Sequence, residues 1–194
     1  MTAYHDTEWG MPACGDRVHF EFLVLESAQA GLSWKTVLNK REAYRKAYQG
    51  FSPESVARFG ESEIEALCLD RGIIRNRMKI EASVNNARVF LQVAGEWGSF
   101  SSYLWHFTQY RPVVGHWERQ EEIPAQTPLS QLISKDMKKR GFRFMGPVIV
   151  YSHLQAVGVV NDHITSCFRY QELLDHYRTP LFREAMEQLG TSGP

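Results

Sequence analysis

Apolar and polar positions recur along the chain with helical spacing, and the predicted helices have matched starts and stops. The run Arg17–Ala30 is closed by Gly31, with Asp16 placed to cap it. Ser33 is placed to cap Trp34–Gln49, which stops at Gly50. Ser52-Pro53 opens a short helix ending at Gly60, Thr127-Pro128 one ending at Gly141, and Thr179-Pro180 one ending at Gly190. A cap residue, then proline at the first helical position, then glycine past the end is the expected helix asymmetry. Ser62–Arg71 and Asn76–Ala94 also read as helices, with Ile80, Val84, Ala87 and Leu91 on one face of the second. Strand signals are thin: Arg111–Val114 is short and marked by proline. The pattern predicts an all-α fold of about eight to ten helices. Gly115–Gln126 lacks periodicity and is expected to be a surface loop, and Thr191–Pro194 is expected to fray.

Composition narrows this picture. The chain has 194 residues, enough to bury a core of its own, and one domain over 1–194 is expected. At 43% hydrophobic and 23% charged residues it is ordinary globular material, not a disordered chain. No apolar run approaches the ~20 residues that a membrane helix needs. The polar, acidic start MTAYHDTEWG reads as neither signal nor transit peptide, so a cytoplasmic protein without a membrane partner is expected, as a monomer. Lys+Arg and Asp+Glu balance at 22 each, so no global basic excess points to nucleic acid, although local patches matter more than totals. Cys14, Cys68 and Cys167 are odd in number and widely spaced, unlike a disulfide framework.

Four features carry candidate chemistry. In MKKRGFRFMGPVIVYSHLQAVG, residues 137–158, a basic amphipathic helix ends at Gly141 and an apolar helix starts at Gly146-Pro147. The amides at that second N-terminus suit a phosphate, and Lys138, Lys139, Arg140 and Arg143 would draw in a DNA backbone. An ordinary αα-hairpin with a solvated basic end has the same spacing, and spacing alone does not separate the two. Glu26, in FLVLESAQAG, has apolar neighbours on nearly every side, so its carboxylate should be partly buried; a structural salt bridge would explain that equally. His163 and Cys167 in NDHITSC are four apart, which on a helix puts both on one face as a metal pair needs, but such a pair is common by chance. Tyr4, Trp9 and Trp34 give aromatic density near Glu26, either as core or as walls for a flat cationic ligand.

In this order the features resemble one family. AYHDTEWGMP at 3–12, LESAQAGLSWKTVLNKRE at 25–42, GIIRNRMKI at 72–80, KKRGFRFMGP at 138–147 and GVVNDHITSC at 158–167 are similar to DNA-3-methyladenine glycosylase I, a family of bacterial base-excision repair enzymes. The resemblance spans Ala3 to Phe168, nearly the whole chain, and leaves the tail 169–194 outside it. It implies a helix-hairpin-helix glycosylase fold, with two helical lobes flanking a pocket into which the lesion is flipped. The hairpin Gly141–Gly146 would then grip a DNA phosphate.

By the same resemblance, Glu26 and Tyr4 would hydrogen-bond the methylated adenine and Trp34 would stack on it, with Trp9 in the same pocket. Gln29, Ala30, Gly31 and Leu32 would wedge the duplex, Leu32 filling the vacated gap. His5, His163 and Cys167 would be three of the family's four ligands to a structural zinc. Asn161 would stand where related glycosylases carry an aspartate, with Asp162 beside it. The family's fourth ligand, a cysteine, and a pocket tryptophan precede the YHD motif. The chain as given starts Met1-Thr2-Ala3 and shows neither, so zinc occupancy and full activity are open expectations.

The implied function is hydrolysis of the N-glycosidic bond of 3-methyladenine in alkylated duplex DNA, leaving an abasic site and releasing the free base. No lysine adjoins Asn161 to form a Schiff base, which agrees with hydrolysis alone. A non-catalytic DNA-binding or damage-sensing module on the same scaffold is the alternative. A hydrolase using His5, His163 and Cys167 as a catalytic metal site has less support. Neutral net charge implies modest non-specific DNA affinity, lost quickly with salt.

Overall fold

The computed structural model describes Met1–Gly193 and is almost wholly helical. Among the described residues there are twelve α-helices: α1 (Thr2–Thr7), α2 (Asp16–Gln29), α3 (Trp34–Leu38), α4 (Arg41–Ala47), α5 (Pro53–Val56), α6 (Glu61–Leu69), α7 (Arg77–Trp97), α8 (Phe100–His106), α9 (Pro128–Lys139), α10 (Pro147–Ala156), α11 (Phe168–His176) and α12 (Pro180–Ser192). Two short strands, β1 (Val113–Val114) and β2 (Val160–Asn161), pair in parallel, Val113 opposite Val160. No helix among the described residues is long and apolar enough to cross a membrane.

α2 is the centre of the molecule. Its residues from His19 to Ala28 are all buried, because it packs against α7, α8 and α10 at once. A helix surrounded in this way needs no polar face, which is why its sequence reads as apolar nearly all round. The long α7 keeps one face in the core through Ile80, Val84 and Ala87 and exposes the other. α9 and α10 pack on each other as a hairpin. Phe182 and Met186 of α12 join the same core, so residues 180–192 are not a loose tail, and the helix persists past Gly190 where fraying was expected. Pro194 lies outside the described residues.

The caps at Ser33, Ser52, Thr127 and Thr179 form as the sequence predicts, each side chain accepting an N–H from its own first turn, and Asn76, expected inside a helix, caps α7 in the same way. Asp16 does not cap α2. Its carboxylate instead accepts the Phe100 and Ser101 N–H groups at 2.9 and 3.0 Å, capping α8 from 84 residues away. The helix expected over 34–49 is broken at Asn39-Lys40, where Lys40 Nζ reaches the carbonyls of Arg71 and Gly72 at 3.0 and 3.2 Å. α5 stops at Val56 instead of reaching Gly60, which begins α6 with its N–H held by the Glu63 carboxylate at 2.9 Å.

Gly158 fixes the N-terminal segment. Its φ is +70°, and a Cβ there would come within 2.4 Å of Pro12 N and 2.5 Å of Gly10 O. Only glycine admits that crossing. With the Ala13 N–H bonded to the Val157 carbonyl at 3.0 Å, it holds the strand of chain that follows α1, and so α1 itself, across the end of α10.

Candidate active site

A cavity of about 290 Å³ opens between α1, α2, α3 and α10. Tyr4 and His5 reach it from α1, Glu26 and Gln29 from α2, Trp34 from the start of α3, and Ser152 and Gln155 from α10; Trp9 and Gln120 complete its polar and aromatic lining. The Tyr4 and Trp34 rings lie 5.7 Å apart, and Trp34 stacks on Phe22 at 6.4 Å, so one wall is a continuous aromatic surface.

Glu26 faces this wall at 4% exposure. Among the described residues it forms no hydrogen bond and no ion pair. The salt-bridge explanation of its burial belongs instead to Glu21 on the same helix, whose carboxylate takes Arg41 at 2.7 Å and Arg45 at 3.0 Å. Burial without a partner pushes the Glu26 carboxyl up to about 8. Burial, with the nearby Glu26 and Glu8 carboxylates, also raises the Tyr4 hydroxyl, which therefore stays a donor. The cavity thus offers a desolvated carboxyl, a phenol and π-faces, a set that favours a flat ligand bearing positive charge.

His5, His163 and Cys167 meet beside the cavity, their ligand atoms all within 4.8 Å of one another. Cys167 Sγ is 3.6 Å from His5 Nε2 and 3.5 Å from His163 Nδ1. The surroundings fix both tautomers. His163 Nε2 donates to the Trp9 carbonyl at 3.2 Å, which leaves Nδ1 as a lone pair; His5 Nδ1 donates to Asp6 at 2.7 Å, which leaves Nε2 as one. Both lone pairs face the thiol, and burial keeps His163 neutral, as a ligand must be. A carbonyl or carboxylate behind each imidazole is the usual outer support of a metal-binding histidine. The donor set fits zinc. Residues 162–167 are not helical, contrary to the spacing argument: a turn, with the Cys167 N–H on the Ile164 carbonyl at 2.8 Å, brings the pair together.

α9 and α10 form the hairpin that the sequence predicts, and fewer of its basic groups are free than the sequence suggests. α9 ends in a Schellman motif: Gly141 N–H to the Lys138 carbonyl and Phe142 N–H to the Met137 carbonyl, both at 3.0 Å, with Gly141 at φ +101°. Asn86 of α7 holds Arg143 through both its N–H and its carbonyl at 2.8 Å, and Asn85 holds the Gly141 carbonyl at 2.9 Å. The N–H groups of Phe144, Met145, Gly146, Val148 and Ile149 have no partner among the described residues; Met145 is buried, so the other four are the ones left for an anion. Lys139 and Arg143 are exposed beside them. Arg140 is not available: it binds Asp136 at 2.7 Å and Glu96 at 2.6 Å and lies over the Tyr103 ring.

At the other rim, the turn after α2 is locked. Gln29 Nε2 donates to the Leu32 carbonyl, the Leu32 N–H returns to Gln29, and Lys79 Nζ covers the carbonyls of Ala28 and Ala30 at 2.9 and 2.6 Å. Gly31 supplies the positive φ of +80°, and Leu32 projects from this rigid turn at 38% exposure.

Asn161 does not line the base-sized cavity. It is fully buried in β2, its Oδ1 accepting the His163 N–H at 3.2 Å. Asp162 is buried too, and its carboxylate takes Trp117 Nε1 at 2.7 Å, Gln155 Nε2 at 2.8 Å and the Tyr151 hydroxyl. The segment 115–126 is therefore more than a surface loop, since Trp117 is anchored within the molecule and Gln120 reaches the cavity. Gln120, Ser152 and Gln155 escaped the sequence reading. The first sits in an aperiodic stretch, and the other two look like ordinary turns of an apolar helix.

Comparison with known proteins follows this geometry. A family model described as methyladenine glycosylase matches residues 1–170. DNA-3-methyladenine glycosylase 1 of Escherichia coli (strain K12) is 46% identical over 168 residues, 87% of this chain and 90% of that protein. A DNA-3-methyladenine glycosylase of Haemophilus influenzae is 41% identical over 164 residues, 84% of this chain and 89% of its own. Among solved structures, a 3-methyladenine DNA glycosylase I superposes with a TM-score of 0.82 at 47% identity, covering 86% of this chain and 92% of that one. A variant of such an enzyme in complex with 3-methyladenine gives 0.84 at 38% identity, covering 86% and 90%.

Proposed function

The chain belongs to the methyladenine glycosylase family, and from that premise we propose that it is a monofunctional DNA-3-methyladenine glycosylase. It hydrolyses the N-glycosidic bond of 3-methyladenine in alkylated duplex DNA and leaves an abasic site. The observation that carries this reading is Glu26: a buried carboxyl with no protein partner, facing an aromatic wall.

Methylation at N3 gives the adenine a positive charge, so the base is already a good leaving group. The protein's task is then to select the cation and to steady the charge that develops on the sugar. In the empty cavity Glu26 holds its proton near neutral pH, and an incoming cationic base favours the ionised form. Neutral adenine brings no such charge. Tyr4 donates its hydroxyl to the base and Trp34 stacks on it, with Trp9 on the far side. The base must leave the duplex to arrive there. Leu32, on its rigid turn, fills the gap, while the Phe144, Gly146, Val148 and Ile149 amides with Lys139 and Arg143 hold the backbone in a helix-hairpin-helix grip.

His5, His163 and Cys167 would hold a zinc ion that ties the N-terminal segment to the turn before α11. Its contribution when bound is to stability, because it crosslinks segments more than 150 residues apart in the chain. Metal analysis with melting before and after chelation tests it: one zinc per chain and a lower melting temperature on chelation are expected, and no bound zinc with unchanged melting overturns it.

The test of the activity is release of bases from methylated duplex DNA, separated by chromatography. Selective release of 3-methyladenine without strand cleavage is expected. Binding of the free base without any release would favour a damage-sensing module instead.

A further inference from the structure

Among the described residues, Gln155 is the one that both lines the cavity and bonds to Asp162. Its amide has a donor end and an acceptor end, and which end faces the cavity is set by what the other end binds. An ionised carboxylate has acceptors only. Asp162 receives the Trp117 indole N–H, the Tyr151 hydroxyl and Gln155 Nε2, so the amide nitrogen is committed to Asp162 at 2.8 Å. Gln155 Oε1 has no partner among the described residues. Trp117 and Tyr151 come from different parts of the chain, the 115–126 segment and α10, so Asp162 cannot turn away without orphaning both.

We propose that Gln155, held by Asp162, is a specificity-determining residue: it presents its amide oxygen to the base cavity and selects a purine with an exocyclic amine over one with an exocyclic oxygen. This rests on the reading of the cavity as the base site. An amine donates to the amide oxygen, whereas a carbonyl in its place sets two acceptors against each other in a desolvated site. Discrimination of that kind is far stronger than a difference in shape provides, because the mismatched polar groups stay buried and unpaired.

Two free bases that differ in the group at position 6, 3-methyladenine and 3-methylhypoxanthine, provide the test by calorimetric titration. The wild type should prefer the amine by roughly a hundredfold. Gln155→Met keeps the length and removes the amide; it should reduce that preference at least about tenfold, with melting lowered only by the one hydrogen bond that Asp162 loses. Asp162→Asn gives the network an amide of its own and frees Gln155 to turn; it should reduce the preference as well, and it carries the test if Gln155→Met does not fold. An undiminished preference in a folded variant overturns the proposal. A wild type that neither binds 3-methyladenine nor releases it from methylated DNA would overturn the assignment of the cavity, and this inference with it.

Discussion

Glu26 and Asp162 are both buried carboxylates, at 4% and 3% exposure, and they are provided for in opposite ways. Asp162 has three donors from three side chains, and its surroundings are complete before any ligand arrives. Glu26 has none, and burial holds its proton on up to about pH 8. An unpaired buried acid is costly, and such groups cluster where a ligand compensates. The contrast separates scaffold from recognition more cleanly than burial or charge alone, and Gln155 is the side chain through which the two regions meet.

The largest expected effect lies on the scaffold side. Asp162→Ala leaves the Trp117 N–H, the Tyr151 hydroxyl and the Gln155 amide unpaired at once, and should cost about 3–5 kcal/mol in urea unfolding. Glu26→Gln should do the reverse: lower affinity for 3-methyladenine about tenfold or more, with no loss of fold. Its stability signature is a pH dependence. The carboxyl titrates near 4.5 when unfolded and near 8 when folded, so the folded state binds the extra proton in that interval. The contribution is full below the unfolded value and is lost as pH rises through the folded one. Between pH 5.5 and 7.5 the wild type should therefore lose roughly 2 kcal/mol relative to Glu26→Gln in unfolding titrations.

Smaller effects sharpen the boundary at the hairpin and at the turn after α2. Gly141→Ala meets a φ of +101° and should cost about 1 kcal/mol and weaken duplex binding more than free-base binding. Gly146→Ala separates backbone strain from contact, since no protein atom lies within 4 Å of its Cβ position and its φ is ordinary; it should leave stability and free-base binding near wild type, with any loss confined to duplex binding. Leu32→Ala should change stability by less than about 0.5 kcal/mol and leave free-base affinity alone, while slowing excision from duplex DNA. Equal loss of free-base binding in Leu32→Ala would move it from the wedge into the pocket.

Much of this was legible in the residues. The Ser/Thr-Pro starts located α5, α9 and α12, because caps are local chemistry, and Gly31 and Gly141 stand just past α2 and α9; the stops expected at Gly60 and Gly190 do not end the helices before them. Glu26 was legible as an acid among apolar neighbours, although residue order alone left open the ion pair that Glu21 in fact makes. The meeting of His5 with His163 and Cys167 was legible through family resemblance alone, for nothing local joins residues 5 and 163. What was not legible depends on tertiary partners: Asp16 capping a helix 84 residues away, the break at Lys40, whose Nζ reaches Gly72, and Arg140 paired with Glu96. Gln155 is invisible for the same reason, since its meaning lies in Asp162 and Trp117 and not in the apolar helix that carries it.

The most direct measurement of the central claim is calorimetric binding of free 3-methyladenine to the wild type and to Glu26→Gln, with melting temperatures recorded on the same samples. The account predicts at least about a tenfold loss of affinity in the variant with melting unchanged or raised. Equal affinity in a folded Glu26→Gln protein would contradict it, because the unpaired carboxyl would then not be what recognises the base.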